Sequence, residues 1–344
     1  MNLLEIKNSL SSLSEEEILE LQKALEQLTA SNNYLPKSQK SRRYVLDNKM
    51  GSCPHCSDPN YVKFGIDKGS QRYKCKSCKR SFTEYTGTWM AGIQRKDKID
   101  AYLVLMMEEK SLDKIKETLS INKKTAFDWR HKILSSFSER DKGDFTGITE
   151  SDETFFLNSE KGSPVHNRKP RKRGGTSKTR GISGDQVAVI VTQDRKSNLD
   201  LTVATMGRLK KVDIENAIGS RVKPNQTILC SDAHVSYKGF AMDNKIEHHQ
   251  LKAIIKQRVK NKIYHIQHVN STHNRVKKWI DNTFWGVSTK YLQQYLDWYR
   301  IKEIIKYRND KLNVFVQKVS EDVTAYQNYQ GIRLRYNKLK SMQI

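Results

Sequence analysis

Residues 147–157 read GITESDETFFL. The stretch is rich in Ile, Thr and Phe, which favour a strand, yet Glu150, Asp152 and Glu153 interrupt it. An acid in such a strand is costly unless it meets solvent, a partner or a cation. A second stretch, TILCSDAH over 227–234, is an apolar strand that ends on Asp232. Gln186–Asp194, Leu199–Met206 and Gln226–Ser231 are short and rich in Val, Ile and Thr, and they read as further strands. A helical segment near 210–221 separates the third strand from the fourth. After 250 the pattern is helical almost to the end. Three strands, a helix, another strand and then helices give an α/β order that fits a mixed sheet flanked by helices.

Acids at two such places have a chemical use. Cleavage of a phosphodiester without a covalent intermediate calls on two divalent cations about 3.5–4 Å apart. Mg2+ takes oxygen ligands, so rigid elements must supply acidic side chains. Asp152 and Asp232 fit that need; the alternative is that both face solvent at strand ends. Glu150 and Glu153 flank Asp152 and are expected on the opposite sheet face, serving only if the register is displaced by one. Cys230, two places before Asp232, is expected to be a packed thiol. His234 has either a local structural role or a place beside the acids.

The charge balance names the partner. Lys and Arg outnumber Asp and Glu by 62 to 38 in 344 residues, a net charge of +24. Such an excess repels itself unless something anionic neutralises it, and nucleic acid is the first candidate. No apolar run approaches the roughly 18 residues that span a bilayer, and no signal peptide is evident at the start. A membrane partner is therefore not expected, and the protein is expected to be cytoplasmic and nucleoid-associated.

Cys53-Pro-His-Cys56 and Cys75-Lys-Ser-Cys78 are 18 residues apart, within the spacing of a four-cysteine zinc site. Each pair closes a tight turn that aims two sulfurs at one point, and two turns make the tetrahedron zinc accepts. Tyr61–Gly65 and Arg72–Lys74 can pair as a hairpin too small to fold without metal. With four thiolates the zinc is structural and His55 is a surface histidine. Lys63, Lys68, Arg72, Lys74, Lys76, Lys79 and Arg80 suggest phosphate contacts.

Lys110–Phe137 reads as two helices joined by a short turn, a helix-turn-helix. Leu112, Ile115 and Leu119 line the first helix; Ala126, Trp129 and Ile133 line the second. Asn122 or Ser120 can cap the second. Lys123, Lys124, Thr125 and Arg130 then fall at its outward N-terminal part, where a recognition helix meets DNA. The competing account is a plain helical hairpin with a charged, solvated face. Asn167–Arg180 carries seven Lys or Arg, and Arg168, Lys169, Arg171, Lys172 and Arg173 are candidate contacts to the DNA backbone. At the other end, Ser14 with Glu17 makes a capping box for a helix over 14–29, with Ile18, Leu21, Leu25 and Leu28 on one face. The stretch 30–50 is polar and basic and reads as a linker.

The four-cysteine ribbon, the helix-turn-helix, TESDETFF, LCSDAHVSY and the later HVNSTHNRVKKWIDNTFWGVSTKYLQQYLDWYR together resemble one transposase family, the insertion-sequence group numbered 1595. The resemblance spans about residues 50–300. It implies a catalytic domain with a ribonuclease H-like fold and a DDE-type DNA transposase, in which two Asp and a third residue hold Mg2+. By motif position Asp152 is the first ligand and Asp232 the second. The third position departs from the usual Glu, since no Glu occurs from 248 to 302. Asn270 is assigned there, 38 positions after Asp232, with Lys277 seven residues later on the same helix face. His273 is the alternative, and Asp281 and Asp297 are acidic residues expected to have other roles. The aromatic series Trp279, Phe284, Trp285, Tyr291, Tyr295, Trp298 and Tyr299 is expected to be mostly core, with one or two able to stack on an unpaired base.

The resemblance further implies double-stranded DNA partners, namely transposon ends and a target, and a homodimer or larger synaptic assembly that brings two ends together. Two other accounts are kept: a transposase-derived, non-catalytic DNA-binding regulator, and a nuclease or junction resolvase that cuts without joining. The expected organisation is multidomain, α+β and α/β. It comprises an N-terminal helical segment at 1–34, a zinc ribbon at 50–90 and a helix-turn-helix domain at 93–140. A ribonuclease H-like catalytic domain at 145–305 and a helical tail at 306–344 follow.

Overall fold

A computed structural model of the chain describes residues 13–21, 38, 40–42, 44–48, 51–67, 70–137, 142–162, 175, 181–251 and 258–342. Within the expected first helix, residues 15–21 are helical, and the capping box is formed in both directions. The Ser14 amide donates to Glu17 Oε2 at 2.9 Å and the Glu17 amide to Ser14 Oγ at 3.4 Å. Leu25 and Leu28 lie outside the described residues. The linker expected over 30–50 is corrected in its described part: residues 40–42 and 44–48 are helical. A linker reading weighed only their polarity, whereas Leu46 is fully buried and Arg42 makes a two-pronged pair with Asp100 at 3.0 and 2.9 Å.

Strands β1 (Tyr61–Asp67), β2 (Ser70–Cys75) and β3 (Ser81–Phe82) form a small antiparallel sheet, with β1 and β2 joining the two cysteine pairs and β3 following the second. Its core is only Cys53, Cys75 and Phe82, with Tyr61, Tyr73 and Cys78 packed against them. Three helices follow, α1 (Ile99–Met107), α2 (Leu112–Leu119) and α3 (Lys123–Leu134). Ser111 Oγ caps α2 by accepting from the Lys114 amide at 3.1 Å. Ser120 ends α2 in the left-handed conformation, and Asn122 Oδ1 caps α3 by accepting from Lys124 N at 2.8 Å. The turn between the two helices is thus written by two short polar side chains.

The main sheet has the order β6-β5-β4-β7-β8, with β4 (Gly147–Leu157) at the centre. β5 (Gln186–Asp194) pairs antiparallel with β4 and with β6 (Leu199–Met206). β7 (Thr227–Asp232) runs parallel to β4, and β8 (Glu247–Leu251) runs parallel to β7. α4 (Lys211–Ile218) and α5 (Val235–Asp243) cover one face through Ile214, Ile218, Tyr237 and Phe240, which pack on Ala188 and Ile190. α6 (Gln267–Phe284) and α7 (Leu292–Ile305) cover the other, with Val269 and Val276 in the same core as Val187, Val189 and Val191.

That second core is not confined to the sheet. It runs on through Leu46, Trp89, Leu103, Ile115, Trp129 and Ile133. It also takes in Phe315, Val316 and Val319 of α8 (Lys311–Glu321) and Ala325 of α9 (Ala325–Gln330). α10 (Ile332–Ser341) follows. The segment read as a tail therefore contributes to the common core.

Gly87 shows how closely the ribbon's exit is packed. It has φ +81°, and a Cβ there would meet the Val323 carbonyl oxygen at 2.4 Å; Gly92, at φ +74°, has nothing within 4 Å. We expect Gly92→Ala to cost about 1 kcal/mol for its backbone conformation alone. Gly87→Ala should cost clearly more, because its methyl group meets backbone that cannot swing aside. Urea denaturation of the two variants side by side measures the difference.

Candidate active site

β4 and β7 are in register from Gly147↔Thr227 to Glu150↔Cys230, and there the pairing ends. β4 continues to Leu157 while β7 stops at Asp232, so the sheet opens beside Asp152 and Glu153. Opposite Asp152 on β5 is Val191, which belongs to the core under α6; opposite Glu153 is Ile190, which belongs to the core under α4 and α5. Cross-strand partners share a face, so Asp152 faces α6 and Glu153 faces α5. Past the end of β7 no strand separates the two faces on that side. The carboxylates of Asp152, Glu153 and Asp232 converge there, with one oxygen from each within 4.8 Å of the others.

This corrects the expectation for both glutamates. Glu153 does lie on the other face, yet it joins the acids, because the gap beyond β7 lets its side chain reach round. Glu150, two residues from Asp152, shares that residue's face by the two-residue period of a strand.

The convergence costs free energy. Burial, and then the charges of Glu153 and Asp232, push the Asp152 carboxyl up to about 8. Burial and Asp232 also raise Glu153, whose Oε2 is buried without a protein partner. Asp232 Oδ1 accepts from the His234 amide at 3.0 Å, and His234 Nδ1 in turn caps α5 by accepting from Ser236 N at 3.3 Å. An all-oxygen, mutually repelling donor set with an orphan oxygen fits a hard divalent cation.

α6 runs beside β4 and is pinned at its start. Glu150, 1% exposed, accepts from the His268 and Val269 amides at 2.9 and 3.3 Å. A carboxylate there satisfies amides that a helix N-terminus leaves free and suits the helix dipole. One turn on, His273 is 8% exposed, its ring against the backbone of Asp152 and its Nε2 without a partner. Burial, then Lys277, pushes this imidazole down to about 4. Lys277 is half-buried with Nζ 6.0 Å from the Phe156 ring centre, and burial lowers its pKa as well. Asn270 is on the same helix but exposed.

The remaining candidates divide. Cys230 is a fully buried thiol, pushed up to about 12 by burial and then by Glu150. Asp281 is exposed. Asp297 is held by Gln293 at 3.1 Å and stands outside the acidic group. The aromatic series is largely packed, as in Trp279 on Phe284 at 4.9 Å and Phe284 on Tyr295 at 4.8 Å, while Trp285 is 65% exposed. Lys123 and Lys124 are exposed on the first turn of α3, paired with Asp113 and Asp128, and Thr125 is half-buried beside them. Arg130 is corrected. It is 2% exposed and donates to the Lys110 carbonyl at 2.6 Å, because α3 is covered on all sides beyond its first turn. Arg168, Lys169, Arg171, Lys172 and Arg173 lie outside the described residues, as does Lys68.

The four ribbon sulfurs also lie within 4.8 Å of one another. The His55 amide donates to Cys53 Sγ and the Cys78 amide to Cys75 Sγ, each at 3.4 Å, and the bond from Cys78 helps lower the Cys75 thiol. The cluster fits a zinc ribbon, and His55 is exposed as expected. Two features escaped the sequence reading. Glu153 was set aside on alternation alone, and His265-Ile-Gln-His268, which meets Glu150, was passed over although its His-x-x-His spacing was visible.

Residues 144–300 match the family described as ISXO2-like transposase domain. The matched stretch runs from the start of the main sheet to α7. An uncharacterised protein in transposable element ISH50 of Halobacterium salinarum is 26% identical over 147 residues, covering 42% of this chain. The match takes in 49% of that protein, so the chain spans about half the length of the curated relative. A crystal structure of a pre-cleavage Mos1 transpososome is similar at 12% identity and a TM-score of 0.20 over 69% of this chain and 80% of that one. Among the described residues no helix is long and apolar enough to cross a membrane.

Two outcomes follow for the two clusters. Cys75→Ser, or a strong chelator, should release metal and open the ribbon, whose core is too small to hold alone; limited proteolysis should then cut within 51–90 while the rest resists. At Asp152 the folded state holds a proton from pH 3.8 to about 8 that the unfolded chain has lost, so this group makes stability fall as pH rises through that window. With no added divalent cation, Asp152→Asn should therefore melt above wild type at pH 8, the gap closing as pH falls towards 4. Added Mg2+ should raise only the wild type.

Proposed function

We propose that the chain is a DDE-type DNA transposase that cuts the ends of a mobile element and joins them to a target. The observation that carries this reading is the convergence of Asp152, Glu153 and Asp232 at the point where two parallel strands part. A protein that only bound DNA would gain nothing from three half-buried acids crowded together, two of which, Asp152 and Glu153, have their proton affinity raised by burial and by the neighbouring charges. The sheet order, with β4 central and antiparallel to β5 but parallel to β7, supports a ribonuclease H-like catalytic domain.

In this reading Asp152 and Asp232 hold Mg2+, and Glu153 supplies the third acidic oxygen, since Asp281 of α6 stands outside the group. Bound there, divalent cations supply charge to the attacking and leaving oxygens of an in-line displacement. The chain's own residues orient the reactants. His273 has more support than Asn270 as the α6 contribution, since its neutral ring lies against the Asp152 backbone and leaves the Nε2 lone pair free for a metal ion. Asn270, exposed a turn earlier, is left to contact the DNA strand. Lys277, one turn past His273, holds a terminal phosphate. Glu150 keeps α6 in register with β4 so that these side chains meet the acids.

The ribbon, carrying a structural zinc, and the first turn of α3 with Lys123, Lys124 and Thr125 grip the terminal inverted repeats. The excess of positive charge suits a long DNA footprint. Two ends must be brought together, so the active species is a dimer or larger.

The test is cleavage and strand transfer on a labelled inverted-repeat end with Mg2+, comparing wild type with Asp232→Ala. The variant should lose at least about a hundredfold in both steps while still binding the end. A wild type that binds ends tightly and neither cuts nor joins, with Mn2+ as with Mg2+, would overturn the proposal in favour of a regulator. One that cuts and never joins would make it a nuclease.

A further inference from the structure

We propose that Glu150, His265 and His268 form a separate site for a first-row transition-metal dication of the zinc class, for which the Arg195 guanidinium is the competing occupant. One carboxylate oxygen and one nitrogen from each imidazole lie within 4.8 Å of one another. Two imidazoles and a carboxylate are a donor set that suits zinc and its neighbours rather than Mg2+, which prefers oxygen. The set is also anchored. Glu150 sits in the central strand with its second oxygen held by two amides of α6, and His268 belongs to that same first helical turn.

The protein's own contacts leave this cluster frustrated. Arg195 Nη2 donates to Glu150 Oε1 at 2.9 Å, and Arg195 also reaches both rings. His268 Nδ1 stands 2.7 Å from Glu150 Oε1 and 3.0 Å from Arg195 Nη1. One neighbour only accepts and the other only donates. With a proton, Nδ1 satisfies the carboxylate and confronts the guanidinium; without one, it satisfies the guanidinium and turns a lone pair on the carboxylate. His265 Nδ1 accepts from the Gln267 amide at 3.3 Å, which leaves its lone pair turned on Glu150 Oε1, 3.3 Å away. A dication in place of the guanidinium accepts a lone pair from all three ligands at once.

Access is open. The side chain of His268 is 52% exposed and that of Arg195 32%, so the arginine can turn out to solvent. The site rests on its own geometry and not on the transposase reading. Its carboxylate ligand, Glu150, is two residues along β4 from Asp152, roughly 7 Å by the rise of a strand. An ion there would tie β4 to the start of α6 as firmly as the present ion pair does.

Zinc content of the desalted full chain, measured by atomic emission with the ribbon as internal reference, tests the proposal. The expected wild-type result is two zinc ions per chain. His265→Ala/His268→Ala and the milder His268→Asn should each fall to one, with the ribbon ion retained. Asp152→Asn/Asp232→Asn should keep two, which separates this site from the acidic cluster. Arg195→Ala should bind the second ion at least about tenfold more tightly, since it removes the competing cation from a buried carboxylate. A merely structural ion pair does not predict that gain. In Co2+ titrations the second equivalent should give only weak visible bands, without the thiolate charge-transfer absorption of the ribbon. One ion per chain in both wild type and Arg195→Ala, or a second ion indifferent to His268, would overturn the proposal.

Discussion

Three carboxylates within 4.8 Å of one another repel, and their burial makes the repulsion worse. Much of the main domain is arranged to hold them there regardless. Asp152 and Glu153 are adjacent on a strand flanked on both sides by other strands, and they belong to opposite faces of it. They can meet only because β7 ends at Asp232 and leaves a gap. The site is thus made by the length difference between two parallel strands, a geometry in which α/β sheets commonly bind ligands. A divalent cation bound between these acids would offset the free energy spent on keeping them together.

The same strand organises the helix beside it. Glu150, two residues before Asp152, takes the amides of the first turn of α6 and the guanidinium of Arg195. Because that carboxylate is almost wholly buried, removing its partners would leave an uncompensated charge, which is far more damaging than loss of a surface pair. Everything α6 offers to the acids, His273 against Asp152 and Lys277 near Phe156, follows from that starting register. A common apolar core then joins α6 and α7 to α2 and α3 and to α8 and α9, so the exposed, lysine-bearing first turn of α3 stands on the same support as the acids.

The legible parts of this protein were those with a local cause. Four strands of the main sheet alternate or run apolar, the cysteine spacing points to the ribbon, and Asn122, one of the two caps offered for α3, caps it. β8 was missed because EHHQL has no apolar alternation; it is an edge strand held by backbone pairing to β7. α5 follows Asp232 too closely to have been separated from the strand by pattern alone. Arg130 was misplaced because helical periodicity gives a face but not what covers it, and here α7 and α9 close over the outer side of α3. Glu153 was set aside by a rule that holds inside a sheet and fails where a neighbouring strand ends. The acid pair itself was readable, since Asp152 and Asp232 each break an apolar strand. The third acid was not, because it depends on where β7 stops.

The central claim is that these acids hold metal. It is tested most directly by diffraction from crystals of the full chain soaked in Mn2+, with data collected for anomalous scattering. The account predicts a peak within about 2.0–2.6 Å of carboxylate oxygens from both Asp152 and Asp232, with Glu153 turned towards it. A structure with Mn2+ bound elsewhere, or with the three carboxylates sharing protons and no ion between them, would contradict it.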